Sequence, residues 1–197
     1  MKTSRFSLSM LILGYTFLYI PILSLIIFSF NSSKQVIVWE AFSFKWYGAL
    51  FKNTELLEAA WISLRVALSS ATLSAILGTM AAIVIVRFKK FRGKSFFKTL
   101  VAAPLVMPEI IIGLSLLLLF VNIEQLLGWP KGGGIPTITV AHTTLSIAYV
   151  TSIVHSHLVN FDTSLSEAAL DLGATPFRAF FLVTFPIIFP SITAGWL

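Results

Sequence analysis

Between residues 8 and 30 the chain carries no charge at all. A run of that length is the strongest constraint on its fold, because about 20 helical residues suffice to cross the hydrocarbon core of a bilayer. Lipid offers no partners to backbone N–H and C=O groups, so such a run must be a helix that bonds to itself. Further apolar runs over 61–86, 100–121, 138–159 and 180–197 predict an all-α, polytopic membrane helical bundle, the fifth span incomplete. Composition agrees: 57% of the 197 residues are hydrophobic and 11% charged, against about a quarter charged in soluble domains. Cysteine is absent, which removes disulfides and thiol chemistry. The N-terminal apolar run is too long for a cleaved signal peptide and lacks a small-residue cleavage site, so it is a retained span.

Charge placement orients these spans. Six of the fourteen basic residues, Arg87, Lys89, Lys90, Arg92, Lys94 and Lys98, fall within twelve positions that contain no acidic residue. Flanked by apolar spans, they form a cytoplasmic loop under the positive-inside rule. The rival reading, a nucleic-acid surface suggested by the net charge of +6, finds no room for a binding fold between the spans. Lys2 and Arg5 start the chain inside, and segment 31–60 balances three basic against three acidic residues. Loops 31–60 and 122–137 are then external, while the N-terminus and segment 160–186 are cytoplasmic. The external segment holds Trp39, Phe42, Phe44, Trp46, Tyr47 and Phe51. They fit a short interfacial helix, with an aromatic cage as the alternative.

Within the spans, a few residues stand out. Pro21 bends the first. In the second, Arg65 can snorkel outward, and Ser70, Ser74, Gly78 and Ala82 recur every fourth residue beside the row Ala67, Ala71 and Ala75. Rows of small residues let membrane helices pack closely. The third span carries Pro104, Pro108 and Glu109. Glu109 is placed about 16 Å along the helix from Lys98, at mid-membrane, where a carboxylate marks a substrate pathway by default. A neutral buried carboxyl, or one paired with another subunit, is the competing account. Segment 128–134 is a Gly-rich external turn. His142, His155 and His157 lie in the fourth span without the clustering a metal site needs. No catalytic residues or metal ligands are assigned. No Gly-rich phosphate loop followed by Lys-Ser/Thr is present, so a P-loop ATPase is excluded.

The polar stretch between the last two runs reads as helix–turn–helix. Ser164 and Glu167 have capping-box spacing, Gly173 can end a helix in the left-handed region, and Thr175 with Pro176 starts a second helix. Glu167, Ala168, Ala169, Gly173 and Pro186 also fall at the spacings of the EAA loop, with Val183 and Phe185 at its Ile and Leu positions. The chain therefore resembles the permease subunits of ABC importers. Segments 29–33, 104–109, 113–121 and 167–176 look like the polyamine branch, and most like permeases for putrescine.

The resemblance implies a pathway-forming subunit in a bacterial inner membrane. Its implied partners are a second permease, a cytoplasmic ABC ATPase dimer that consumes ATP, and an external solute-binding protein. This chain itself would bind no cofactor. Glu167, Ala168, Ala169, Asp171, Gly173, Pro176 and Pro186 would couple to the ATPase, and Pro108 and Glu109 would line the pathway. The family has six spans, of which about five fall in these 197 residues, as in a truncated chain. An importer for spermidine or an amino acid, an ion-coupled secondary transporter, and a purely structural membrane subunit remain as alternatives. The secondary transporter would show internal repeats, and Pro104–Glu109 has no second copy.

Overall fold

The computed structural model describes residues 5–35, 37–88 and 90–197; Lys2 and Lys89, both used above to orient the chain, lie outside them. The chain divides into two compact units, Met1–Trp61 and Ile62–Leu197. Among the described residues, five helical stretches are long and apolar enough to cross a membrane: Arg5–Phe28, Thr54–Arg87, Glu109–Leu127, Ile135–Val159 and Pro176–Trp196.

The first unit holds α1 (Arg5–Phe28) and α2 (Lys45–Leu50). No side chain of α1 is buried, as suits an apolar helix whose solvent is lipid. The loop between them is organised by Asn31, which is 2% exposed. Its Nδ2 donates to the Val38 carbonyl at 2.6 Å, and its Oδ1 accepts from Glu40 N at 3.0 Å and Ser33 N at 3.3 Å. Trp46 Nε1 donates to the Asn31 carbonyl at 2.9 Å. One amide side chain thus satisfies three backbone groups that have no helix or sheet to join. Phe30, Phe42, Phe44 and Tyr47 stack around it with ring centroids 5.1–6.2 Å apart.

α3 (Thr54–Arg87) begins in the first unit and runs for 34 residues, about 51 Å at 1.5 Å per residue. It is longer than the expected 61–86 span at its N-terminal end, where Asn53 Oδ1 accepts from Leu56 N. The rest of the second unit comprises α4 (Lys94–Val106), α5 (Glu109–Leu127), α6 (Ile135–Val159), α7 (Ser164–Asp171) and α8 (Pro176–Ala179). A π-helical turn, Phe180–Thr184, then leads into α9 (Phe185–Trp196).

The expected span over 100–121 is corrected into two helices. α4 stops at Val106, Met107 is extended, and Pro108 precedes α5. A proline disfavours helical geometry in the residue before it and has no N–H to continue the ladder. α5 runs to Leu127, so the expected loop at 122–137 shrinks to the Gly-rich turn. That turn is pinned by Gly132 N donating to Glu124 Oε1 at 2.7 Å. The fifth stretch, expected from residue 180, begins at Pro176 and has 21 residues.

α6 is the centre of the second unit, packed on both α4 and α9. Val150, fully buried on α6, is packed against two glycines. A Cβ added at Gly78 of α3 would lie 2.7 Å from Val150 Cβ and 3.1 Å from the Ile147 carbonyl, and one at Gly195 of α9 would lie 3.4 Å from Val150 Cα. Thr151 Oγ1 donates to the Gly78 carbonyl at 3.2 Å. Ser70, Ser74 and Ala82 are buried along the same row of α3. Ala82, Val150, Val154, Leu158 and Ile188 form the apolar core.

Gly78→Leu is expected to cost about 1–3 kcal/mol through overpacking, read as a lower thermal midpoint in detergent. Gly113→Ala, with nothing within 4 Å of its new Cβ, should not lower the midpoint, since alanine favours a helix interior over glycine; equal midpoints in the two variants would count against the close approach. Asn31→Ala should loosen its loop locally by about 2 kcal/mol, the order expected for stranded buried polar groups. Hydrogen exchange at the Glu40 amide would then be about 30-fold faster, and unchanged exchange would exclude the role given to Asn31.

Candidate functional site

The polar hinge between α6 and the last long helix is closed at both turns by backbone chemistry. Gly173 has φ of +86°, a conformation that costs an L side chain about 1–2 kcal/mol. With Gly173 so placed, its N–H donates to the Leu170 carbonyl at 2.9 Å, and Ala174 N donates to the Ala169 carbonyl at 3.0 Å. This bond pair is a Schellman motif, which satisfies the carbonyls left over at the end of α7. Two residues on, Thr175 is extended and its Oγ1 accepts from Arg178 N at 3.3 Å, with Pro176 first in α8. The two helices are therefore joined by a short, defined turn.

The start of α7 differs from the expected capping box. Ser164 lies inside the helix, the N-cap is Thr163, and no capping bond comes from its side chain. Asp162 takes that role instead: its Oδ1 accepts from Ser164 N at 3.0 Å. Hydrogen bonds from the Ser164 hydroxyl and amide hold the Asp162 carboxyl below its ordinary range. A carboxylate two residues upstream is a stronger acceptor than a serine hydroxyl, and that outcompetes the Ser164–Glu167 pairing.

Glu167, Ala168, Asp171, Gly173, Pro176 and Pro186 are exposed, and Ala169 is half-buried. At the turn, Leu172 is 90% and Phe177 73% exposed. Ser166 and Ala179 anchor the motif from beneath. Thr184, at the end of the π-helical turn, is buried and meets Ser166 of α7 and Arg87 of α3. Ser166, Thr184 and Arg87 escaped the sequence reading. Thr184 occupies the unspecified position of the motif, and Arg87 entered only as one charge among six.

Glu109 is not inside a continuous helix. It is the first residue of α5, exposed, and meets no partner among the described residues. The 16 Å estimate from Lys98 fails because the backbone breaks at Met107–Pro108. Its position does place a negative charge at a helix N-terminus, where the peptide dipoles favour it. Ser70 and Ser74 have a second surrounding: with His142, Ser146, Tyr149 and Trp196 they line a cavity of about 730 Å³ at the end of the bundle away from α7. Glu109 does not line it. His155 and Lys98 border a smaller cavity of about 210 Å³ between α4 and α6, and His157 lies beside Asn160 and Asp162.

Residues 74–197 match the family described as binding-protein-dependent transport system inner membrane component. The putrescine transport system permease protein PotI of Escherichia coli strain K12 is 50% identical over 194 residues, 98% of this chain and 69% of that protein. The spermidine/putrescine transport system permease protein PotC of the same strain is 38% identical over 92% of this chain and 66% of its own length. The molybdate/tungstate transport system permease protein WtpB of Pyrococcus abyssi is 30% identical over 79% of this chain and 60% of its own length. This chain thus spans about two thirds of the length of these relatives. With five helical stretches of membrane length among the described residues and a family match that covers α7, its turn and the helix beyond, the chain belongs to the inner-membrane permease components of binding-protein-dependent transport systems.

Proposed function

We propose that this chain is a membrane-spanning subunit of an ATP-driven polyamine importer with putrescine as its solute. The observation that carries the reading is the α7–turn–α8 knob: rigid by its bonding, tipped with exposed Leu172 and Phe177, and joined directly to a membrane-length helix. Apolar side chains held out on a turn are a surface for another protein. The partner is a cytoplasmic ATPase dimer, which supplies the ATP hydrolysis for which this chain has no phosphate loop. A second permease subunit completes the pathway, and a solute-binding protein delivers the solute from outside. The surplus of Arg87, Lys90, Arg92, Lys94 and Lys98 over any acidic residue in their segment supports a cytoplasmic knob and a cytoplasmic N-terminus in a bacterial inner membrane.

The physics of such a subunit is mechanical and electrostatic. Closure of the ATPase dimer pushes Glu167, Ala168, Ala169, Asp171 and Gly173 as one body, with Pro176 and Pro186 fixing the turn and the helix beyond. The helices packed on α6 then tilt together. A diamine brings two positive charges whose dehydration is costly. Glu109 at the Pro108 break offers a carboxylate to offset part of it. The similarity to putrescine and spermidine/putrescine permeases supports a polyamine, while the molybdate/tungstate relative shows that solutes differ within the family. Uptake of labelled putrescine, spermidine and molybdate by the assembled complex separates these solutes.

Gly173→Pro should abolish ATP-driven putrescine uptake, since proline can neither adopt a positive φ nor donate to the Leu170 carbonyl. Gly173→Asn, which tolerates the left-handed region, should retain most of it. Uptake that persists without ATP, or that ignores Gly173→Pro, refutes the coupling role. Glu109→Gln should lower putrescine uptake about tenfold if the carboxylate faces the pathway; unchanged uptake and unchanged apparent affinity would exclude it.

A further inference from the structure

Most hydroxyl side chains in these helices bond back to their own backbone. Ser69, Ser70, Thr72, Thr143 and Thr144 each donate to the carbonyl four residues earlier at 2.7–2.8 Å. Thr184 departs from this habit. It is 1% exposed, yet its Oγ1 has two tertiary partners: Arg87 Nη2 donates to it at 2.9 Å, and the Ser166 hydroxyl lies 3.2 Å away. Ser166 is itself buried on the inner side of α7. The guanidinium of Arg87 also stands 5.7 Å from the centre of the Phe161 ring, in the link between α6 and α7.

The backbone explains how Thr184 comes to point there. Pro186 lacks an N–H, and a proline ring collides with the carbonyl four residues before it. The turn Phe180–Thr184 relieves this by widening to π geometry. One extra residue in a turn rotates all that follows by about 100° relative to an uninterrupted helix. Thr184, the last residue of that turn, meets Ser166 and Arg87. Ser166 belongs to the knob, Thr184 to the long helix that ends as α9, and Arg87 to the last turn of α3.

We infer that Thr184 is the positioning residue through which displacement of α7 is passed into the bundle, received from Ser166 and shared with α3 through Arg87. This rests on the importer reading above and adds to it a defined route. A push on α7 that reached the bundle by apolar contact alone would let the knob slip, since such contacts are non-directional. Two hydrogen bonds on one buried oxygen fix direction as well as distance. Ser166 and Arg87 thus act on the same atom, and neither is a ligand of the solute.

The test is the number of putrescine molecules imported per ATP hydrolysed, by the complete complex in proteoliposomes with its solute-binding protein. Thr184→Val preserves shape and removes both bonds; Thr184→Ser keeps the hydroxyl. The inference expects T184V to lower the ratio about threefold or more, T184S to restore it, and Ser166→Ala with T184V to fall no further than T184V alone. A T184V complex that is less stable but keeps the wild-type ratio overturns the inference, because that is what a satisfied buried hydroxyl without a coupling role would give. If T184V does not assemble, Arg87→Met at the exposed end of α3 decides in the same way: a lowered ratio supports the route, a wild-type ratio overturns it. Wild-type uptake that is not driven by ATP would instead bring down the importer reading, and this inference with it.

Discussion

The close packing of α3, α6 and α9 turns on two glycines meeting one valine. In lipid, apolar side chains gain nothing by leaving one apolar surrounding for another, so helices associate by close packing and interhelical polar contacts. Gly78 and Gly195 let α3 and α9 both approach Val150 on α6. At that separation the Thr151 hydroxyl reaches the backbone carbonyl of α3. Trp196 of α9 likewise donates through Nε1 to Thr72 of α3 at 3.1 Å. The seam then continues through Ala82 and Val154 to Leu158 and Ile188, and it ends beside Thr184.

How much of this could be read from the residues follows from the range of the interactions involved. The long charge-free runs declare themselves because the bilayer imposes a length on any helix that crosses it. The row of Ser70, Ser74, Gly78 and Ala82 is legible because helical periodicity is local, although the identity of its partner on α6 is not. Gly173 and Thr175 are legible for the same reason: a Schellman turn and an N-cap are closed within a few residues. Reading failed where two local rules competed. A single apolar run over 100–121 contains Pro108, which in fact separates two helices, and Asp162 displaces Ser164 from the capping role. It failed too where partners are distant in sequence. Asn31 satisfies groups up to nine residues away, and Arg87 meets Thr184 across 97 residues; neither spacing has a pattern.

The elements around the seam differ in stiffness, and the difference has a direction. α3 has no proline in its 34 residues, so its backbone ladder is unbroken. The stretch Pro176–Trp196 carries Pro186, Pro190 and a π-helical turn. Each interior proline removes a hydrogen bond that would resist bending. Phe177, Phe181, Phe185 and Phe189 compensate in part, with successive rings 4.7–5.8 Å apart along one side of the stretch. On a neighbouring face, Thr184, Ile188 and Ser191 are buried. A displacement arriving at α7 therefore meets a helix that yields in its backbone while its inward side chains stay fixed to their neighbours. Such a helix bends about its anchored side instead of sliding past α6. The proline that ends the EAA pattern has a physical reason to be there: it softens the backbone two residues after Thr184, whose hydroxyl meets both α7 and α3.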